Sequence, residues 1–139
     1  MNLKNTNFNL KIILVEPSGP LNVGSIARLC SNFNVNQLRI VSPKCDIYSL
    51  EVKKMALRGI NFIKECNIYE SLIDSISDCD LVLATCGRIE YPKDCEQDSL
   101  ENISKWIRNF KEIKNLAILF GREDRGLTNR ELLMAHKVF

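Results

Sequence analysis

Apolar residues recur along this chain in two rhythms. Short unbroken apolar runs rich in β-branched residues occupy Lys11–Val15, Gln37–Ser42, Asp80–Thr85 and Asn115–Phe120, and runs of that length and make-up read as strands covered on both faces. Ile68 and Tyr69 read as a further short strand. Between the runs, apolar positions return at helical spacing: Val23, Ile26, Ala27, Cys30 and Phe33, then Leu50, Met55, Ala56 and Leu57 within Tyr48–Arg58. Leu72, Ile73 and Ile76 follow, and later Leu100, Ile103, Ile107 and Phe110. Leu72, Ile73 and Ile76 are spaced to cover a sheet.

Boundary residues sharpen the pattern. Glu16-Pro17-Ser18-Gly19-Pro20 ends the first strand, and Asn22 is a candidate N-cap for the helix after it. Pro43 stops the second strand, since it has no backbone donor for a central ladder. Gly59 is expected to end the Tyr48–Arg58 helix. Asp98 and Glu101 suit a helix start, Trp106 reads as packing rather than a base-stacking platform, and Ile89–Gln97 reads as loop. Thr128-Asn129-Arg130-Glu131, just ahead of Leu132 and Leu133, has the capping-box pattern. Strands alternating with helices predict an α/β fold with a mostly parallel sheet and right-handed crossovers.

Three predicted strands, those ending at Val15, Thr85 and Phe120, run into turns of small residues with an arginine close by. In open α/β sheets ligands collect outside the carboxyl ends of strands, so converging ends would make one pocket. Gly121 and Gly126 leave two readings open, an ordinary strand-to-helix turn or a close backbone approach to something bound. Arg28 likewise reads either as a solvated arginine or as a fixed cation leaning back toward the loop, because helical side chains tilt toward the N-terminus.

Composition narrows the field. At 139 residues with near-average charged and apolar content, the chain suits one folded domain. A net charge of +2 permits a nucleic-acid partner without identifying one. The six cysteines are scattered with no Cys-x-x-Cys pair, and His136 is the single histidine, so no metal site is expected and reduced thiols are. Met1–Asn9 is polar and nothing approaches transmembrane length, which points to a cytoplasmic protein. No Gly-x-x-x-x-Gly-Lys-Ser/Thr, Gly-x-Gly-x-x-Gly or Gly-x-Ser-x-Gly pattern is present, which removes the usual P-loop, dinucleotide and hydrolase readings. Taken alone, the residues specify a ligand-binding α/β domain and no particular reaction.

Two stretches carry a resemblance. Asn22-Val23-Gly24-Ser25-Ile26-Ala27-Arg28 and Leu119-Phe120-Gly121-Arg122-Glu123-Asp124-Arg125-Gly126-Leu127-Thr128-Asn129 resemble the first and second motifs of the SPOUT-class, SpoU-like RNA 2′-O-ribose methyltransferases. Thr85-Cys86-Gly87-Arg88 stands where that family has a Thr-Ser-Ala-Arg-like turn. The chain is similar from Ile12 onward to the branch acting on the ribose 2′-oxygen at position 32 of the tRNA anticodon loop.

The resemblance implies S-adenosylmethionine as methyl donor, a homodimer with sites near its interface, and a C-terminal trefoil knot around the cofactor. It implies Arg28 as the catalytic arginine, with Asn22 and Glu123 organising the site, and Thr85, Cys86, Gly87 and Gly121 as cofactor-contacting positions. Cys86 replaces the serine often found there. Family members continue through another strand and a Ser-Leu-Asn-like third motif. Residues 1–139 are therefore expected to form a single SPOUT domain that is incomplete at its C-terminus, with Val138 and Phe139 exposed for want of a covering strand. The competing expectation is a non-catalytic RNA-binding or dimerisation module of the same fold.

Overall fold

The computed structural model describes residues 7–139; most of the polar stretch Met1–Asn9 lies outside them. Strands β1 (Asn9–Val15), β2 (Gln37–Val41), β3 (Asn67–Tyr69), β4 (Leu81–Ala84), β5 (Asn115–Phe120) and β6 (Lys137–Val138) form one sheet in the order β3-β2-β1-β5-β4-β6. Every pairing is parallel. The chain lays β1, β2 and β3 outward on one side, then crosses to build β4, β5 and β6 on the other. The direction reverses between β1 and β5, where a crevice opens because the connections that follow leave for opposite faces.

Burial shows the two faces directly. Helix α1 (Pro20–Asn32) packs Val23, Ala27 and Cys30 against Leu10, Ile12 and Leu14 of β1, joined by α2 (Leu50–Ala56), α3 (Ile60–Glu65) and α5 (Leu100–Arg108). The opposite face buries Ile13, Val15, Ala117 and Leu119 under α4 (Leu72–Ile76) and α6 (Asn129–Leu132). Alternate residues of β1 thus serve two cores, which is why that strand is apolar without a break.

Four expectations change. Asn22 is not an N-cap: Pro20 fixes the first helical turn and Gly19 caps it, so the helix begins earlier and Asn22 lies inside it. Gly59 does not stop the chain's helical course. It ends a short 3-10 turn, Leu57–Gly59, and α3 starts at once. Ile73 points outward, and the small buried Ser75 takes the inner position beside Leu72. Val138 is fully buried and Phe139 partly buried against the core, because β6 pairs with β4 on one side while the Val138 N–H and carbonyl bond Glu96 and Asp98 on the other. The capping box predicted at Thr128 and Glu131 is present, with Thr128 Oγ1 accepting from Glu131 N at 3.2 Å and a Glu131 carboxylate oxygen accepting from Thr128 N at 2.7 Å.

Candidate functional site

The strands whose ends were expected to converge are neighbours: β1, β5 and β4 lie side by side at the reversal point. Their three following loops therefore share one rim.

The loop after β1 turns sharply at Glu16, whose φ of 47° is a left-handed value unusual for a side-chain-bearing residue. An ion pair holds it there. Arg122, the second residue after β5, meets the Glu16 carboxylate and also reaches Glu131 of the α6 capping box through two contacts at 3.0 and 3.1 Å. Lys44 adds a contact to Glu16 at 3.3 Å. Burial alone would raise the Glu131 carboxyl, but Arg122 and the Thr128 donors outweigh it and hold it below its usual range.

Glu123 makes the second stitch across the crevice. Its carboxylate accepts from Gly19 N at 3.0 Å, from Ser18 N at 3.1 Å and from Ser18 Oγ at 3.0 Å. These donors sit at the start of α1, where free N–H groups and the helix dipole favour an anion. Burial would push the Glu123 carboxyl up, yet the Gly19, Glu123 and Ser18 donors together bring it down to about 2. It is an anion at any working pH and is committed to this loop, so it positions groups and does not shuttle protons.

Glu123→Ala should therefore loosen the start of α1. Because the carboxylate is exposed, the expected loss is modest, about 1 kcal/mol in urea unfolding at neutral pH. A depressed folded-state pKa stabilises above the ordinary carboxylate value, and that gain fades as pH falls toward the folded value. The wild-type advantage over Glu123→Ala should accordingly shrink between about pH 4.5 and about pH 2. Equal stability at neutral pH would show that the carboxylate does not hold the loop.

The glycines sort into two roles. A Cβ on Gly121 would collide with the Gly126–Leu127 backbone, so Gly121 is required by closure of the loop itself, which Arg122 and Gly126 pinch together through paired backbone bonds. Gly87 is different: a Cβ there would meet nothing within 4 Å. Its backbone is open on that side, as a contact surface for a bound molecule must be. Thr85 lies between these two, its N–H and hydroxyl both donating to the Leu119 carbonyl at 3.1 and 3.0 Å. The Cys86 N–H is taken by the Phe139 carbonyl at 2.8 Å. Arg88 reaches across to the Leu127 carbonyl at 3.1 Å, tying the β4 loop to the β5 loop.

Asn22 joins the cluster from the first turn of α1, with its amide and the Glu123 carboxylate both flanking Gly19. Arg28 stands further along the same helix, exposed, and among the described residues it makes no ion pair or side-chain hydrogen bond. Sequence reasoning singled out neither Ser18 and Gly19 nor the Glu16–Arg122 pair. Pro20 was the available signal for the former, since proline at a first helical position leaves the residue before it as the cap. His136, the single histidine, accepts from Val82 N at 3.0 Å and caps the β4 edge. Among the described residues no cluster suits a metal ion and no helix is long and apolar enough to cross a membrane.

Comparison with known proteins places this geometry. Residues 9–139 match the SpoU rRNA Methylase family. The tRNA (cytidine-2′-O-)-methyltransferase TrmJ of Sulfolobus acidocaldarius is 36% identical over 126 residues, covering 90% of this chain and 52% of that protein. A probable methylase family protein from Haemophilus influenzae superposes with a TM-score of 0.82 at 30% identity, over 96% of this chain and 55% of the other. The SpoU methyltransferase AviRb from Streptomyces viridochromogenes, solved in complex with the cofactor AdoMet, shares the fold at a TM-score of 0.66 and 16% identity, over 98% of this chain and 51% of the other. The chain spans about half the length of the curated relatives it matches.

Proposed function

The chain belongs to the SpoU methylase family, and on that premise we propose that it forms the methyl-transfer unit of an S-adenosylmethionine-dependent RNA 2′-O-ribose methyltransferase. The expected target is a pyrimidine, cytidine or uridine 32, of the tRNA anticodon loop. The reading of tRNA follows from the tRNA 2′-O-methyltransferase relatives, and a splayed loop suits it because such loops expose the 2′-hydroxyl to a protein. The observation that carries the reaction is the meeting of three strand-end loops at the sheet's reversal point, stitched by Glu123 and Arg122.

The residues present fit the donor. Thr85, Cys86 and Gly87 on one loop and Gly121 on the next would hold it, and the open side of Gly87 is where a bound group could lie against backbone. Bound S-adenosylmethionine supplies an already electrophilic methyl group, so the chain's own task is alignment and electrostatics. Asn22 and the Glu123-fixed loop define where the sugar sits. Arg28 offers positive charge and several donors to the developing 2′-oxyanion or its neighbouring phosphate. A homodimer is part of the proposal, and the exposed Leu21, Leu29 and Phe33 along α1 give a second copy an apolar surface to cover. The same reading makes residues 1–139 one SpoU-type unit working in the cytoplasm.

Labelled methyl transfer from S-adenosylmethionine to tRNA tests this, with the modified nucleotide mapped by its resistance to alkaline cleavage. Transfer to a ribose in the anticodon loop is the expected outcome. Absence of transfer to any tRNA or rRNA would end the reading.

A further inference from the structure

Helix α2 gives way to α3 with almost no chain between them, and Leu57, Arg58 and Gly59 make the bend. Leu57 stands at φ 50° and ψ −118°, the first-corner conformation of a type II′ turn, which suits glycine and disfavours a bulky side chain. Burial does not repay the strain, since the Leu57 side chain is largely exposed. What holds the bend is contact with α1: a Cβ on Gly59 would lie 2.6 Å from the Arg28 N and would strike the Ala27 carbonyl. The strained bend thus fixes Arg58 one residue away from a backbone contact with Arg28.

The charges there are one-sided. Arg28 and Arg58 are both exposed, and among the described residues neither meets a carboxylate or donates a side-chain hydrogen bond. Lys53 and Lys54 continue the run on the last turn of α2, also exposed. Four exposed cations on adjoining turns, with Glu51 at the start of α2 the one carboxylate on that helix, suit a polyanion's backbone.

We propose that Arg58 is a second RNA-backbone contact, gripping a phosphodiester beside the sugar that Arg28 addresses, and that the strained Leu57 turn exists to hold it there. This rests on the reading of RNA as the substrate. Arg58 is a positioning residue for the strand and leaves the chemistry to the loops.

Fluorescence anisotropy with a labelled tRNA anticodon stem-loop, titrated across about 50 to about 300 mM KCl, separates the possibilities. Arg58→Ala should weaken binding about fivefold and reduce the slope of log affinity against log salt by about 0.7, one phosphate contact on a single strand. In methyl transfer it should raise KM about fivefold and leave kcat in place, the sign of a contact made equally in ground and transition states. Arg58→Lys should keep the slope. Leu57→Gly should raise the thermal midpoint by about 3 °C while weakening RNA binding, since relief of strain frees the turn. A clear wild-type slope left unchanged by Arg58→Ala overturns this inference alone. Failure of the wild-type chain to bind RNA at any salt overturns both it and the RNA reading.

Discussion

Asp78→Asn is expected to destabilise the protein by about 3 kcal/mol in urea unfolding at neutral pH. The carboxylate serves two buried cations at once. Arg39 on β2 grips it with two nitrogens at 2.6 and 2.8 Å, and Lys11 on β1 reaches it at 2.6 Å. The Arg39 and Lys11 side chains are only 5% and 8% exposed. An asparagine keeps the shape and one acceptor but removes the charge, leaving two cations in a region of low dielectric with little to balance them. Asp78 itself is 48% exposed, so the loss falls at the lower end of that for a fully buried pair. Lys11→Met, by contrast, removes one cation and leaves the Arg39–Asp78 fork intact, and should cost much less.

The same triad sets an acid limit. Arg39 foremost, then Lys11, hold the Asp78 carboxyl far below its ordinary value against the opposing effect of burial. A depressed folded-state value means the stabilisation is complete above the unfolded value near about pH 4 and drains away as pH falls below it. Wild type should lose stability steeply on acidification, and Asp78→Asn should show a flatter acid limb. A variant within about 0.5 kcal/mol of wild type at neutral pH, with an unchanged acid slope, would show that the two cations do not depend on Asp78.

Lys11 shows how far the sequence could be read. The run Lys11–Val15 was legible as a strand, because five residues of mostly branched apolar character have few other fates, and so were the other long strands. Nothing local told that the lysine heading it would be buried, since its partner lies 67 residues away. The expected end of the Tyr48–Arg58 helix at Gly59 failed for a related reason. Gly59 resembles a helix terminator, but its missing Cβ is used for contact with α1, a tertiary demand that propensity does not record. Strand β6 has only two residues, too few to show any period, and forms because β4 and the Glu96–Asp98 segment flank it.

The candidate site divides in the same way. Thr128 and Glu131 were readable as a capping box because all the parts lie within one turn. The proposed functional positions came from motif resemblance, which names residues without saying what joins them. The joints are long-range: Glu123 to Gly19 spans 104 residues and Arg122 to Glu16 spans 106. Only the sheet order, which sets β5 beside β1, makes those contacts possible.

The second large effect is expected at Arg28. On the proposed function, Arg28→Ala should lower methyl transfer about 10²- to 10³-fold, the usual consequence of removing a donor that meets developing negative charge. Its exposure and lack of protein partners among the described residues mean that the substitution should leave stability within about 0.5 kcal/mol of wild type. Activity and folding are therefore separable at this position, as they are not at Asp78 or Glu123. Arg28→Lys keeps a charge but loses the planar fork, and should recover only part of the rate. S-adenosylmethionine affinity, followed by calorimetry, should be unchanged in both variants, because the loops assigned to the donor begin at Thr85 and Gly121 and not on α1. If Arg28→Ala keeps a rate within about threefold of wild type, the 2′-oxyanion is stabilised by another group, and the exposed guanidinium serves only as part of the cationic surface it shares with Arg58.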